Sequence, residues 1–339
     1  MPAKKAVRTL AAIFTAALLT SCSKTETENI YIGGFIAMDT YISATVYGEG
    51  GESAAKAAKE EILRLESLFS VTDDKSDVSR INCSEGNGAE VSGETAELIR
   101  FALEMCENSG GSLDITMYPV VREWGFTTGE YKIPDNDTLT NLLDKVNYSS
   151  VRVDGNTVTV PQDTMIDLGA AAKGYAGDRA IQILKEKGIT SGLVNLGGNV
   201  QVLGGKPDGT DWSVGVQNPF GDGYVCVLNV RDTAVVTSGN YERYFEEDGV
   251  RYWHIIDPAD GFPADNGIVS ATVIGDSGAF CDALSTAIFV MGREKAEKLW
   301  SESGEFEMIL VLENGDVVIS EGVEEMIEGD SVGFEIVRR

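Results

Sequence analysis

The stretch "GAFCDALSTAIFVMG", residues 278–292, restricts the fold more than any other part of the chain. From Ala279 to Met291 nearly every position is apolar. A helix built from it is hydrophobic all round, so it has to lie between other elements. Asp282, Ser285 and Thr286 interrupt the run. Asp282 and Thr286 are four residues apart, which puts both on one face. A carboxylate in such surroundings is costly unless a cation, a set of donors or a proton neutralises it. Two accounts stand side by side. In one, Asp282 caps a neighbouring backbone and Thr286 bonds back to its own helix. In the other, both face a metal, and a carboxylate joined by hydroxyl and carbonyl oxygens suits Mg²⁺ or Ca²⁺ rather than zinc.

The rest of the chain supplies the elements that bury this helix. "TYISATVY" alternates apolar and polar residues and predicts a strand. "SAAKAAKEEILRLESLF" carries a helical stripe at Ala54, Ala58, Ile62, Leu65 and Phe69, and "ETAELIRFALEMC" predicts a second helix. "VRVDGNTVTV" is a hairpin signal around Asp154-Gly155-Asn156. "AAKGYAGDRAIQILKEKG" predicts a helix stopping at Gly188. From Leu193 to about Val273 the chain is β-rich, with turns at Gly197-Gly198, Pro207-Asp208-Gly209, Gly221-Asp222-Gly223 and Asp248-Gly249. A charged helix, "EKAEKLWSES", and the strands "FEMILVLE" and "GDVVIS" close it. Strands and helices mix without regular βα alternation, which predicts an α+β fold rather than a doubly wound sheet. Hydrophobic residues make up 43%, enough for a sizeable core, and no Pro- or Ser-rich linker divides residues 35–339. A single domain over that range is expected.

Residues 1–21 read as a leader. Lys4, Lys5 and Arg8 precede an apolar run from Leu10 to Leu19, too short to span a bilayer as a stable helix. "LTSC" resembles the bacterial lipobox, which implies cleavage before Cys22 and its acylation. Residues 22–34 would then be a lipidated cysteine and a polar tether, holding the domain on the outer face of the cytoplasmic membrane. Formal charge is −27, and three units more negative without Lys4, Lys5 and Arg8. No basic patch speaks for nucleic acid. Cys83, Cys106, Cys226 and Cys281 are widely spaced and form no CxxC, so a zinc site is not expected.

Three further clusters bear on function. "IDLGAAAKGYAGD" reads as a strand ending in Asp167 that turns at Gly169 into a helix with Lys173 in its first turn. Such a helix start attracts anions; a plain strand-turn-helix with a solvent-facing lysine has the same pattern. "LVNLGGNVQVLGG" allows close backbone approach to a ligand, or is simply a tight turn. "RYWHIIDP" holds His254, the one histidine of the chain. By itself it suits a packed, hydrogen-bonded group as well as a catalyst. No GxxxxGK[ST] and no GxGxxG after a strand support a P-loop or Rossmann site.

In order along the chain stand "MDT" (38–40), "FSVTDDKSDVSRIN" (69–82), "GGSLDITMYPVVREWGF" (110–126), "IDLGAAAKGYAGDRA" (166–180), "LVNLGGNVQVLG" (193–204), "TSGNYERYF" (237–245), "HIIDPADGFPA" (254–264) and "CDALSTAIFVMG" (281–292). This series resembles the ApbE family of FAD:protein FMN transferases from about residue 35 to the C-terminus. The resemblance implies a compact T-fold-like domain. It also implies FAD as substrate, Mg²⁺ as cofactor, and transfer of FMN to a Thr or Ser hydroxyl of an acceptor protein with loss of AMP. Carried over residue by residue, it implies metal ligation by Asp282, Thr286 and the Ala170 carbonyl, assisted by Ser285. Met38, Asp114, Asp167, Lys173, His254 and Ile256 become FAD contacts, and His254 or Asp257 the catalytic base. It suggests a membrane redox-complex subunit as acceptor. Thr72 is counted with the FAD contacts. Two departures stand out. Asp39 replaces a frequent Gly, and Thr72 replaces a frequent flavin-stacking aromatic, so stacking is expected to come from elsewhere, such as Tyr252 or Phe262, or to be weaker. The same ligands would serve a Mg²⁺-dependent FAD pyrophosphatase, and a non-enzymatic FAD-binding lipoprotein is the third reading.

Overall fold

The computed structural model describes residues 29–329 and 333–339. The leader and Cys22 lie outside the described residues. Nine strands form one sheet: β1 (Ile30–Ala37), β2 (Thr40–Tyr47), β3 (Ser191–Leu196), β4 (Asn199–Leu203), β5 (Ala234–Gly239), β6 (Ile268–Gly275), β7 (Glu307–Leu312), β8 (Val317–Ser320) and β9 (Glu335–Val337). Their order in the sheet is their order in the chain. Every neighbouring pair is antiparallel except β8 with β9. This is a meander with long insertions, and it bears out the α+β expectation.

Between β2 and β3 the chain inserts α1 (Gly51–Phe69), α2 (Gly93–Asn108) and α3 (Ala172–Glu186), and between β6 and β7 it inserts α4 (Gly278–Met291) and α5 (Arg293–Ser303). The predicted stripe of α1 is buried at all five positions. Neighbouring helices α1, α3 and α4 pack side by side, and α4 also lies on β5 and β6. The all-round apolar sequence of α4 is explained by this sandwiched position. On the other face of the sheet, the hairpin Trp212–Gln217 with Tyr224–Val230 presses Trp212, Val214 and Val216 against Val202, Val235, Ile274 and Ile309. Covered on both faces, β6 is buried from Ile268 to Ile274. Among the described residues no helix is long and apolar enough to cross a membrane.

Two expectations need correction. The polar tether expected over residues 22–34 overlaps the sheet, because β1 pairs with β2 from Ile30↔Tyr47 onward. Its alternation is inverted in appearance: Ile32 and Ile36 point outward and are 72% and 79% exposed, while Tyr31 and Phe35 face the core. The segment ending in Asp167 is extended but is not a strand. Its backbone is satisfied by a side chain: Ile166 N–H donates to Asn82 Oδ1 (2.7 Å), and Asn82 Nδ2 donates to the Ile166 carbonyl (2.9 Å). The Asn82 amide thus does the work of a neighbouring strand.

Candidate active site

A cavity of about 460 Å³ opens where the β1–β2 turn, the first turns of α3, the middle of α4 and the 237–258 segment meet. The two-residue turn Met38-Asp39 joins β1 to β2, with φ of 50° and 57°. Positive φ at both central residues is what a type I′ hairpin turn demands. Asp is among the few side chains that tolerate it, which suits Asp39 to this turn. Glu66 fixes the turn by accepting from Met38 N–H (2.6 Å), and Met38 and Asp39 line the cavity.

The crossing of α3 with α4 sets the polar centre. A Cβ on Gly174 would sit 2.1 Å from the Gly278 carbonyl oxygen, so only glycine allows this approach. At the contact, Gly174 N–H donates to Asp282 Oδ2 (2.8 Å). Gln201 wedges between the helices and donates through Nε2 to the Gly174 carbonyl (2.9 Å) and to Asn199 Oδ1 (3.1 Å). Asn199 Nδ2 lies beside the Asp282 carboxyl with no hydrogen-bond partner among the described residues. Asp282 is 4% exposed, and what it exposes faces the cavity. Burial pushes its carboxyl above the ordinary range, while Lys173 and the Gly174 N–H oppose the shift. Thr286 lines the cavity beside it, with Oγ1 3.3 Å from Ser238 Oγ.

Ser285 does not reach the cavity. It is fully buried, donates to the Asp282 carbonyl (2.9 Å), and shares a hydrogen bond with Ser238 (2.8 Å). It braces the helix and is not placed as a ligand. Asp257 is likewise turned into its own loop, where Oδ1 accepts from Ala259 N–H (2.8 Å). It does not line the cavity, whereas His254 does. Tyr252 and Phe262 also lie away from it, packed on Trp124 at centroid distances of 5.5 and 5.7 Å. The rings that do line it are Phe69, Tyr118 and Phe126.

Met38, Thr72, Asp114, Asp167, Ala170, Lys173, His254, Ile256, Asp282 and Thr286 all line this one cavity. His254 Nδ1 lies 3.2 Å from the Arg243 main-chain carbonyl. A carbonyl only accepts, so this contact selects the Nδ1–H tautomer and leaves the Nε2 lone pair free. Burial, and then the Arg243 and Lys173 cations, push the imidazole down to about 3, so it is neutral. Asp167 Oδ1 accepts from Gly169 N–H (2.8 Å), and burial raises its carboxyl against the pull of Arg243 and Lys173. Asp114 is held by Thr116 N–H (2.7 Å) and Tyr148 N–H (3.1 Å). Two lining residues, Glu242 and Arg243, went unnoticed in the sequence. Glu242 opens into the cavity yet is crowded by protein, and desolvation pushes its carboxyl up to about 7 against Lys173. Asn199 and Gln201 were also missed, although two polar side chains at a spacing of two in "NVQVL" were a signal of something to bond on one face.

The donor set tests the expected metal. Among the described residues no group of three or more His, Cys, Asp or Glu converges as a metal-holding cluster. Among the residues lining the cavity, Asp282, Thr286 and Ala170 offer a carboxylate, a hydroxyl and main-chain oxygen, with further carboxylates at Asp114, Asp167 and Glu242. That chemistry fits a hard dication such as Mg²⁺ and is unsuited to zinc. Two cations line the same cavity: Lys173, in the first turn of α3, and Arg243. Together they suit a polyanion such as a diphosphate.

The family model described as ApbE matches residues 38–310. The FAD:protein FMN transferase of Treponema pallidum is 33% identical over 326 residues, covering 89% of this chain and 90% of that protein. The enzyme of the same name from Klebsiella pneumoniae is 32% identical, covering 86% and 92%. Among solved structures, the ApbE protein of Thermotoga maritima superposes with a TM-score of 0.84 at 35% identity, over 89% of this chain and all of that one. The apo flavinyl transferase ApbE of Pseudomonas stutzeri gives 0.80 at 26% identity, over 89% and 98%.

Proposed function

The chain belongs to the ApbE family, and from that premise and the site geometry we propose that it transfers FMN from FAD to a Ser or Thr hydroxyl of an acceptor protein. The observation that carries this reading is the convergence of Asp282, Thr286, Lys173, Arg243 and His254 on one cavity. Asp282, Thr286 and the Ala170 carbonyl would hold Mg²⁺, which supplies charge neutralisation at the diphosphate. Lys173 and Arg243 bind the same phosphates from the α3 side. The acceptor hydroxyl oxygen attacks the FMN phosphorus, the bond from that phosphorus to the bridging oxygen breaks, and AMP leaves with that oxygen. The hydroxyl proton passes to His254 Nε2. A bound diphosphate would offset Lys173 and Arg243 and so remove the part of the His254 depression that these cations cause, burial remaining the larger part. Positioning and electrostatics therefore carry most of the catalysis.

FAD, Mg²⁺ and a candidate acceptor incubated with the protein test the reading by acceptor mass. A gain of one FMN supports transfer. Free FMN and AMP with an unmodified acceptor mean hydrolysis by water at the same site, and intact FAD means capture alone. Lipid anchoring at Cys22 and a membrane-bound redox subunit as acceptor complete the proposal; the lipobox-like "LTSC" supports the anchor.

A further inference from the structure

A second concavity, of about 550 Å³, lies on the hairpin side of the sheet and shares two walls with the first, Thr237 and Glu242. One wall is the outward row of the 212–217 strand, Ser213, Gly215 and Gln217, all exposed. The Tyr224 ring lies across Gly215 and is 57% exposed at the rim. Phe220, which adjoins the lining residue Gly221 in the chain, is equally exposed, at 57%. Gly198, Gly215, Gly221 and Gly223 also line the groove. The charged residues that line it are Asp222 and Glu242, both acidic.

Resting on the transferase reading, we propose that this groove receives the hydroxyl-bearing segment of the acceptor protein. The flavin nucleotide fills the first cavity, so the attacking hydroxyl has to enter from another side. The groove shares Thr237 and Glu242 with the catalytic cavity, so the two are neighbours. Exposed aromatic rings at a rim are the usual anchors of such a contact. With acidic groups only, the groove takes an uncharged or basic segment and rejects an acidic one.

The probe is an unstructured twelve-residue Gly/Ala peptide with one central Thr and one benzophenone side chain, made in three forms: uncharged, with Lys on both sides of Thr, and with Asp on both sides. Photo-crosslinking to the full chain loaded with FAD and Mg²⁺ is mapped by mass spectrometry. The uncharged and Lys forms are expected to crosslink within residues 213–224, and the Asp form at least roughly tenfold less. Ser213→Trp and Gln217→Trp, both exposed and outside the flavin cavity, are expected to reduce that crosslinking and to raise the acceptor KM roughly tenfold. FAD hydrolysis by water and FAD binding should stay within about twofold. Crosslinks elsewhere or nowhere, equal labelling by the Asp form, or unchanged labelling of the Trp variants would overturn the groove. A wild-type chain that hydrolyses FAD but modifies no acceptor would instead overturn the transferase reading.

Discussion

Two carboxylates meet at the crossing of α3 and α4, and they are treated in opposite ways. Asp178, on α3, receives three donors from the start of α4: Ser277 Oγ (3.0 Å), Gly278 N–H (2.6 Å) and Ala279 N–H (3.0 Å). Asp282, one turn further on, receives Gly174 N–H at one oxygen, has Asn199 Nδ2 beside it, and lines the cavity. Desolvation raises both, but at Asp178 the helix N–H groups counter it first, whereas at Asp282 the first counterweight is a cation, Lys173, ahead of the Gly174 N–H. The first arrangement is complete and caps a helix. The second is incomplete without a further positive charge, which is the property of a binding site. Satisfaction of the group, not burial alone, separates structure from function here.

Breaking the incomplete side has the largest effect. Asp282→Ala is expected to abolish Mg²⁺-dependent turnover, by roughly 10³-fold or more, while the melting temperature stays near wild type. A variant that turns over normally at ordinary Mg²⁺ would remove Asp282 from the ligand set. His254→Ala is expected to slow transfer by roughly 10²–10⁴-fold with FAD binding retained. In wild type the acid limb of kcat/KM, which reports the free enzyme, should lie below the ordinary imidazole value of 6.5, because the folded pKa is depressed. An acid limb at or above 6.5 would contradict the neutral, cation-flanked imidazole.

Gln201→Leu probes the support between the two carboxylates. It removes the bond that orients Gly174 against Asp282, so Mg²⁺ affinity by calorimetry should fall roughly tenfold or more. Unchanged affinity would show that the helix crossing alone sets the carboxylate. Asp178→Ala sharpens the contrast from the complete side: about 1–3 kcal/mol of stability is lost, read by denaturant unfolding, with kcat of the folded protein within a few fold. A loss of turnover matching Asp282→Ala would erase the distinction between the two groups.

Much of this site was legible because its chemistry conflicts with its surroundings. A carboxylate in an apolar helix, a lysine in a helix's first turn and a lone histidine each announce themselves in one dimension, and Asp282, Lys173 and His254 do share a cavity. The meander was harder to see, since the insertions between β2 and β3 hide that these strands are neighbours. Ser285 and Asp257 misled for a common reason: small polar side chains bond to nearby backbone as readily as to a ligand, and spacing does not tell which. Tyr252 and Phe262 misled because aromatic residues pack on one another, here around Trp124, without any sequence mark of which ring faces a cleft. Glu242 and Arg243 were invisible because their partners come from distant elements, α3, α4 and the His254 loop. The inward face of β1 looked like tether because its most apolar residues, Ile32 and Ile36, are the ones left outside.

A crystal structure of the protein with FAD and Mg²⁺ tests the central claim most directly. The account predicts a cation within about 2.1 Å of an Asp282 carboxylate oxygen, bridging to the diphosphate beside Lys173. A diphosphate held elsewhere, with the Asp282 carboxyl protonated and ligand-free, would contradict it.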